Sequence, residues 1–116
     1  MMNVSVVIPA YNRPGYLELA IKSVLAQSYP IAEIIIVDDC STADLLPVIS
    51  AFADDRIRYH KSTKNMGNGY SRNQGTKMAK SEWIAYLDDD DIWFKNKIEL
   101  QIEAIKKTSV SHVCLR

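Results

Sequence analysis

The hydrophobic positions of the chain fall into short β-branched runs that alternate with amphipathic stretches. Val4–Ile8, in which Ser5 is the one polar residue, and Ile34–Val37 are short runs rich in β-branched residues, the pattern of strands buried on both faces of a sheet. Between them, apolar residues recur at every third or fourth position over Pro14–Gln27, the spacing of a helix with one buried face. A shorter helix is predicted over Asp44–Phe52. The first half of the chain is thus predicted to run strand, helix, strand, helix.

The second half repeats this order with a weaker pattern. Its predicted elements are, in chain order, a strand over Arg56–His60, a helix over Tyr70–Lys80, a strand over Glu82–Leu87, a helix over Lys95–Lys107 and the start of a fifth strand over Val110–Leu115. Arg56–His60 alternates polar and apolar residues, which predicts a half-exposed edge strand. Asn68 is the candidate cap of the helix that follows it.

The alternation of strands and helices determines the predicted fold class. Right-handed crossovers between such strands produce an α/β fold, a mostly parallel sheet with helices on both faces. Ligands bind beyond the carboxyl ends of the strands in sheets of this kind. The polar segments after the first, second and fourth strands, Ala10–Asn12, Asp38-Asp39 and Asp88–Asp91, are therefore expected to meet at one edge.

Composition limits the class of protein without changing this fold. The 116 residues are 47% apolar, enough for the core of a single domain over 1–116. No apolar run has the length of a membrane span, and the amino terminus lacks the pattern of a secretory signal. The sequence has two cysteines, Cys40 and Cys114, too few for a disulfide framework. A cytoplasmic location is expected.

Charge is balanced overall but uneven along the chain. Arg56–Lys80 contains seven basic residues and no acidic one, whereas the acidic run Asp88–Asp91 directly follows a predicted strand. A nucleic-acid-binding protein carries an unopposed basic face, so nucleic acid is not an expected partner at zero net charge. Each charged segment taken alone is more typical of a solvated surface than of a binding site.

The four consecutive aspartates indicate a cation site. Like charges this close raise one another's pKa unless a cation lies between them. In extended backbone, residues i and i+2 face the same way, so Asp88 and Asp90 are expected to reach one Mg²⁺ or Mn²⁺ ion while Asp89 points elsewhere. Such ions complete their shells with water and phosphate oxygens. The sequence has no P-loop or dinucleotide-binding glycine motif, so metal would hold any phosphates.

Three further side chains suit a nucleotide at the same edge. Tyr11 offers a face on which a base can stack, and the Asp39 carboxylate can accept hydrogen bonds from a base or a ribose. Arg72 can offset diphosphate charge. Each also has a purely structural interpretation: Tyr11 as a packed loop aromatic, Asp39 as a helix cap and Arg72 as a surface cation. Their predicted convergence favours a nucleotide-diphosphate site.

At this point the chain resembles family 2 glycosyltransferases of the GT-A fold. The resemblance covers nearly the whole chain and is carried, in order, by Val4–Asn12, Ser23–Pro30, Glu33–Ser41, Asn65–Gly67, Ser71–Gly75 and Tyr86–Trp93. It implies an inverting transferase that uses a nucleotide-sugar donor, usually a UDP-sugar, with Mn²⁺ or Mg²⁺. It further implies a saccharide or lipid-linked acceptor in cell-surface polysaccharide synthesis, in the cytoplasm or at the cytosolic face of the membrane.

The resemblance also implies roles for individual residues. Pro9, Ala10 and Tyr11 would line the base pocket, Asp39 would bind the base edge, and Arg72 would lie near the base and the diphosphate. In the acidic run, which matches the family's DxD-type motif, Asp90 would be the first metal contact and Asp88 the second, with Asp89 near the ribose.

Two features depart from the family pattern. The general base of the family lies well downstream of the DxD-type motif, so the catalytic residue is expected beyond Arg116, and the chain is expected to be an N-terminal part of a longer glycosyltransferase domain. Any peripheral membrane association would then involve regions outside it. Cys40 stands where many relatives carry glycine and would be strained if that position requires a positive φ.

Two other classes of protein compete with the enzyme. One is a non-catalytic module that binds a nucleotide-sugar or a metal. The other is a receiver-like domain, which also has a doubly wound sheet and binds Mg²⁺ through acidic side chains. A receiver would carry its acidic pair after the first strand, where this chain has Ala10–Asn12. The sequence therefore disfavours the receiver and leaves the non-catalytic module open.

Overall fold

The computed structural model describes residues 2–108, and these contain four strands and four helices. In chain order they are β1 (Val4–Ala10), α1 (Pro14–Leu25), β2 (Glu33–Asp38), α2 (Leu46–Ser50), β3 (Ile57–Lys61), α3 (Asn68–Met78), β4 (Trp83–Tyr86) and α4 (Lys97–Thr108). The predicted order of these elements is confirmed, with shifts of one or a few residues at their ends. The predicted fifth strand, Val110–Leu115, lies outside the described residues.

The sheet is parallel throughout and has the order β3-β2-β1-β4. Ala10 pairs with Asp38, so the loops after β1 and β2 leave the sheet side by side. Every residue of β1 and β2 is buried, whereas β3 is half-buried at an edge of the described sheet, as its alternating sequence predicts. The α/β fold class is confirmed.

Helices cover the two faces of the sheet unequally. Helices α1, α2 and α4 pack on one face, against the larger core cluster that includes Val6, Ile8 and Ile36. On the other face α3 covers a smaller cluster formed by Val7, Ile35 and Val37. Two-sided coverage explains why the central strands are buried at every position and why consecutive positions such as 34–37 are apolar rather than alternate ones.

Gly75 lets the backbone of helix α3 pack directly against the Val7 side chain of the sheet. A Cβ atom at this position would lie 2.3 Å from Cγ1 of Val7. The helix begins at Asn68, two residues before the predicted start, and its N-cap is Gly67 with φ 95° and no side-chain cap hydrogen bond. The prediction that Asn68 caps the helix is therefore wrong, because a glycine in the left-handed region makes the turn.

No helix among residues 2–108 is both long enough and apolar enough to cross a bilayer.

Candidate functional site

The loops after β1, β2 and β4 converge on an open cavity at the carboxyl edge of the sheet. Its volume is about 360 Å³. The residues that line it are Pro9, Ala10, Tyr11, Arg13, Asp39, Asn68, Ser71, Asp88, Asp89 and Asp90. Seven of the eight residues singled out in the sequence are in this group, and Arg72 is the exception. The expected convergence of the three polar segments is therefore present.

Hydrogen bonds between side chains and backbone join the first two loops. Asn12, with φ 55°, accepts the backbone N–H groups of Thr42 and Ala43 on Oδ1 at 2.8 and 3.0 Å. In return, the Asn12 N–H donates to Oγ of Ser41 at 2.9 Å. Asparagine tolerates the left-handed region better than most residues. This reciprocal pairing fixes the position of the loop after β1 relative to the loop after β2.

Asp38 does not line the cavity, and its carboxylate bonds residues of the fold beneath it. It is fully buried, and its carboxylate accepts the Ser41 N–H at 2.9 Å and the Tyr59 hydroxyl at 2.5 Å. Burial, together with the hydrogen bond to Asp38, raises the pKa of Tyr59 well above its usual value. Tyr59 therefore remains a protonated donor. Of the two adjacent aspartates, Asp38 is a structural residue and Asp39 faces the cavity.

The Asp39 carboxylate connects the end of β2 to the segment before α3. Its two oxygens accept the backbone N–H groups of Met66 and Gly67 at 2.8 and 3.0 Å. Both donors precede the first residue of α3, so Asp39 fixes the segment that leads into the helix and does not cap the helix itself. Each carboxylate oxygen has a second lone pair, so Asp39 can accept a further donor from a ligand in the cavity.

The acidic run forms a tight turn and not the extended segment predicted from the sequence. The Asp91 N–H donates to the Asp88 carbonyl at 3.0 Å, and β4 has already ended at Tyr86. The expectation that Asp88 and Asp90 share one side while Asp89 points elsewhere is wrong in this respect, because the period of two applies only within a strand. All three side chains line the cavity.

Asp89 is the buried member of the run, with 7% of its surface exposed. One of its oxygens, Oδ2, accepts the backbone N–H of Tyr11 at 2.9 Å. Burial raises the pKa of Asp89, the Tyr11 N–H and Arg13 oppose the rise, and the charges of Asp90 and Asp88 add to it. The mutual repulsion expected from the sequence thus acts on this carboxylate.

Arginines from two other elements neutralise the acidic turn. Nη1 of Arg13 lies 2.8 Å from Oδ2 of Asp90 and 3.5 Å from Oδ1 of Asp89. Nη2 of Arg72 lies 3.2 Å from Oδ1 of Asp88. Arg13 was not among the residues that the sequence singled out, since it lies outside the basic segment. The sequence could have indicated Arg13 by its position, because it lies two residues after Tyr11 in the loop that follows β1 at the carboxyl edge of the sheet.

Arg72 lies beside the first cavity and faces a second one. Its guanidinium carbon is 5.9 Å from the centre of the Tyr86 ring, and its Nε is buried without a hydrogen-bond partner. The second cavity, of about 430 Å³, is lined by Arg72, Tyr86, Asp88, Asp91, Ile92, Trp93, Phe94 and Lys97. Asp88 belongs to both cavities, so the salt bridge from Arg72 lies at their boundary.

The donor set suits a hard divalent cation that a ligand would help to hold. Among residues 2–108, no three His, Cys, Asp or Glu side chains are grouped closely enough to bind a metal by themselves. Mg²⁺ and Mn²⁺, however, commonly use one or two carboxylates together with phosphate and water oxygens. Asp88 and Asp90 present such oxygens, and Arg13 already places positive charge against Asp90. The residues therefore fit this type of ion.

Comparison with known families gives a direct result. The family model described as glycosyl transferase family 2 matches residues 5–116. The chain belongs to glycosyl transferase family 2. The resemblance inferred from the sequence motifs is thus confirmed, and the cavity lies where those motifs converge.

Curated members of the family include relatives with named roles. The chain is 40% identical to the putative teichuronic acid biosynthesis glycosyltransferase TuaG of Bacillus subtilis, over 91% of this chain and 43% of that protein. It is 36% identical to WfgD of Escherichia coli, named a UDP-Glc:alpha-D-GlcNAc-diphosphoundecaprenol beta-1,3-glucosyltransferase, over 93% of this chain and 43% of WfgD.

Among solved structures, S. aureus TarS 1–349 in complex with UDP-GlcNAc superimposes with a TM-score of 0.85 at 27% identity. The match covers 93% of this chain and 32% of TarS 1–349. The chain therefore spans less than half the length of each of these three family relatives.

Proposed function

We propose that the chain is the donor-binding part of an inverting glycosyltransferase that takes a UDP-sugar together with Mn²⁺ or Mg²⁺. The observation that carries this proposal is the convergence of Tyr11, Asp39 and the Asp88–Asp90 turn on one cavity at the carboxyl edge of the sheet. A base, a ribose and a diphosphate require a flat apolar face, hydrogen-bond acceptors and a cation site. The cavity combines all three within one opening.

The base and the ribose are assigned to the side of the cavity formed by the first two loops. Pro9, Ala10 and Tyr11 line this side, and Tyr11 is 43% exposed, which leaves its ring free to stack. Asp39 accepts the edge of the base through the lone pairs that Met66 and Gly67 leave unused. Asp89 is assigned to the ribose. Its carboxylate accepts the backbone N–H of Tyr11, which holds it next to the ring on which the base is proposed to stack.

The diphosphate is assigned to the exposed side of the acidic turn. Asp90 is proposed as the first metal contact and Asp88 as the second. Each carboxylate is paired with one arginine and is exposed enough for a metal ion to replace that arginine. When bound, the divalent cation acts as a Lewis acid that neutralises charge on the departing diphosphate. Arg72, at the boundary of the two cavities, adds positive charge on the same side.

The names of two relatives support a proposal for the acceptor. TuaG is named for teichuronic acid synthesis and WfgD for a lipid-linked diphosphate acceptor. We propose a saccharide or lipid-linked acceptor in cell-surface polysaccharide synthesis, used at the cytosolic face of the membrane. No carboxylate of the described cavity is proposed as the general base, because those of residues 88–90 are committed to cation and donor.

A titration of the purified 116-residue chain with UDP, by calorimetry with and without Mn²⁺, tests the donor site. We expect binding that requires the metal and is weaker for GDP, whose larger base does not match the pocket assigned to uracil. Replacement of Tyr11 by alanine is expected to weaken UDP binding about tenfold, since stacking of a base on an aromatic ring contributes about 1–3 kcal/mol. Tyr16→Ala is the matched control, because Tyr16 is 60% exposed on α1 and does not line this cavity.

The competing function, a non-catalytic nucleotide-sugar or metal-binding module, is separated by turnover. Release of UDP from UDP-glucose or UDP-GlcNAc, with and without a saccharide acceptor, would indicate a transferase. Metal-dependent UDP binding without release would favour the module or a donor-binding part that requires the rest of a transferase. If the chain binds no UDP in the presence of Mn²⁺, both functions are wrong.

A further inference from the structure

Arg13 occupies the position next to Asp90 that a cation would take. Its Nη1 is 2.8 Å from Oδ2 of Asp90 and 3.5 Å from Oδ1 of Asp89, so one guanidinium nitrogen contacts two carboxylates. The other oxygen of Asp89 is already bound by the Tyr11 N–H. A cation that binds these carboxylates therefore competes with the Arg13 guanidinium for their oxygens.

This ion pair is open enough to exchange. The Arg13 side chain is 48% exposed and that of Asp90 is 51% exposed. Ion pairs with this exposure contribute little to stability, because water and salt screen them. Asp89 does not depend on Arg13 for its position, since the Tyr11 N–H and burial hold it. Arg13 can thus leave without disrupting the turn.

We infer that Arg13 is an exchangeable counter-ion that a divalent cation displaces from Asp90 and that then pairs with the donor diphosphate. The inference rests on the proposed function, because it requires a cation and a diphosphate in this cavity. Arg13 is the residue that precedes the first residue of α1 and it lines the cavity, so the displaced guanidinium stays close to the ligand. Its planar fork of donors suits phosphate oxygens. Arg13 would in this way couple the binding of the cation to the binding of the donor.

Titration of Mn²⁺ into the nucleotide-free protein, followed by the electron paramagnetic resonance of free Mn²⁺, tests the exchange. Arg13→Gln removes the competing charge, and we expect its affinity for Mn²⁺ to exceed that of the wild type by about three- to tenfold. Arg13→Lys keeps the charge and is expected to remain near the wild type. Arg56→Gln is the matched control, because Arg56 pairs with Asp54 outside both cavities, at 2.7 Å.

The second arm measures UDP affinity at saturating Mn²⁺. We expect Arg13→Gln to bind UDP several-fold more weakly than the wild type, although it binds Mn²⁺ alone more tightly. A role in folding alone would not move the two affinities in opposite directions. The circular dichroism spectrum and the thermal midpoint of each variant establish that it is folded.

The outcomes distinguish this inference from the proposed function. If Arg13→Gln binds Mn²⁺ no more tightly than the wild type, including the case in which neither binds it alone, the exchange is wrong. If its UDP affinity equals that of the wild type, the pairing with diphosphate is wrong. In both cases metal-dependent UDP binding by the wild type would leave the proposed function intact, whereas its absence would overturn both.

Discussion

The two ends of the sheet use the same chemistry, carboxylates paired with arginines, in different ways. At the amino end Glu33 accepts hydrogen bonds from the Ser5 hydroxyl at 2.6 Å, the Lys80 N–H at 2.5 Å and Arg58 at 2.8 Å. The same nitrogen of Arg58 also donates to the Met78 carbonyl at 2.7 Å. This network, which we call the Glu33 network, uses donors from β1, from β3 and from the segment that follows α3. Both carboxylate oxygens of Glu33 therefore have donors from the fold itself.

At the carboxyl end the carboxylates of Asp88–Asp90 have fewer donors. Asp89 accepts one backbone N–H and shares Arg13 with Asp90, and Asp88 is held by one contact from Arg72. Burial opposes ionisation of both Glu33 and Asp89. At Glu33 the hydrogen bonds outweigh burial and lower the pKa, whereas at Asp89 burial prevails and the pKa is raised. A carboxylate with all its donors supplied stabilises the fold, and one that lacks donors is available to a ligand.

The comparison is tested most strongly by Glu33→Ala. Removal of this carboxylate leaves the Lys80 N–H and the Arg58 guanidinium with unmet hydrogen bonds in a largely buried site. We expect the free energy of unfolding in urea to fall by about 2–3 kcal/mol. The matched control is Glu82→Ala, because Glu82 is exposed. A loss no larger than that of the control would mean that the Glu33 network does not stabilise the fold.

Gly75→Ala tests whether the two ends are mechanically coupled. Helix α3 extends from Asn68 at the cavity to Met78 at the Glu33 network, and Gly75 packs on Val7 between them. An alanine Cβ at 2.3 Å from the Val7 side chain must displace the helix. Overpacking costs about 1–3 kcal/mol, against roughly 1 kcal/mol gained in helix propensity. We expect a net loss of up to about 2 kcal/mol in urea unfolding, with weaker UDP binding.

The control for this prediction lies in the same helix. A Cβ atom on Gly69 has no atom within 4 Å, so Gly69→Ala is expected to leave stability unchanged or to raise it by up to about 1 kcal/mol. If Gly75→Ala lost stability but bound UDP normally, the position of α3 would not affect the cavity, and the two ends would be independent.

The lowered pKa of Glu33 and the raised pKa of Asp89 predict that the free energy of unfolding depends on pH. This effect is expected to be smaller than those of the substitutions above. Because the folded-state pKa of Glu33 is lowered from 4.5, its contribution to stability is complete above that pH and is lost as the pH falls through the lowered value. Arg56 likewise lowers the pKa of Asp54 to about 2. Urea unfolding between pH 7 and pH 2 should therefore show acid destabilisation, less steep in Glu33→Gln than in the wild type. Equal pH dependence in the two proteins would exclude Glu33 as a source.

The carboxyl end is expected to add a term of the opposite sign. Burial raises the folded-state pKa of Asp89, so the stability associated with its neutral form is present at low pH and is lost as the pH rises through the raised value. Asp89→Asn should remove this loss while keeping an acceptor for the Tyr11 N–H. The same urea series on Asp89→Asn measures it.

The sequence was sufficient for the fold and for the meeting of the three polar segments, for a physical reason. Runs such as Val4–Ile8 fit only buried strands, and parallel topology brings the ends of those strands together. The Glu33 network could not be predicted in this way, because Ser5, Arg58 and Lys80 lie 28, 25 and 47 residues from Glu33. Such pairings depend on the register of the sheet.

The same limit applies within the cavity. The pairing of Arg13 with Asp90 joins two loops that are distant in the sequence, and no local pattern indicates it. The sequence predicts an extended acidic run whose side chains alternate as in a strand. In the structure a turn closed by a backbone hydrogen bond determines where these side chains point. Loop geometry decides both points, and local propensity describes it poorly.

Cys40, next to Asp39 in the loop after β2, is a local feature that the sequence did indicate, and it carries the smallest predicted effect. Its φ is 62°, the left-handed value that disfavours a side chain with a Cβ. Cys40→Gly relieves this strain but increases the freedom of the unfolded chain, so we expect a gain of about 0.5 kcal/mol in urea unfolding. Cys40→Ala keeps the Cβ and should give no gain, and an equal gain would attribute the effect to the thiol. Cys40 follows Asp39 directly, so the UDP affinity of Cys40→Gly shows whether the strained backbone matters for binding. Unchanged affinity would mean that the donor site does not need this strain.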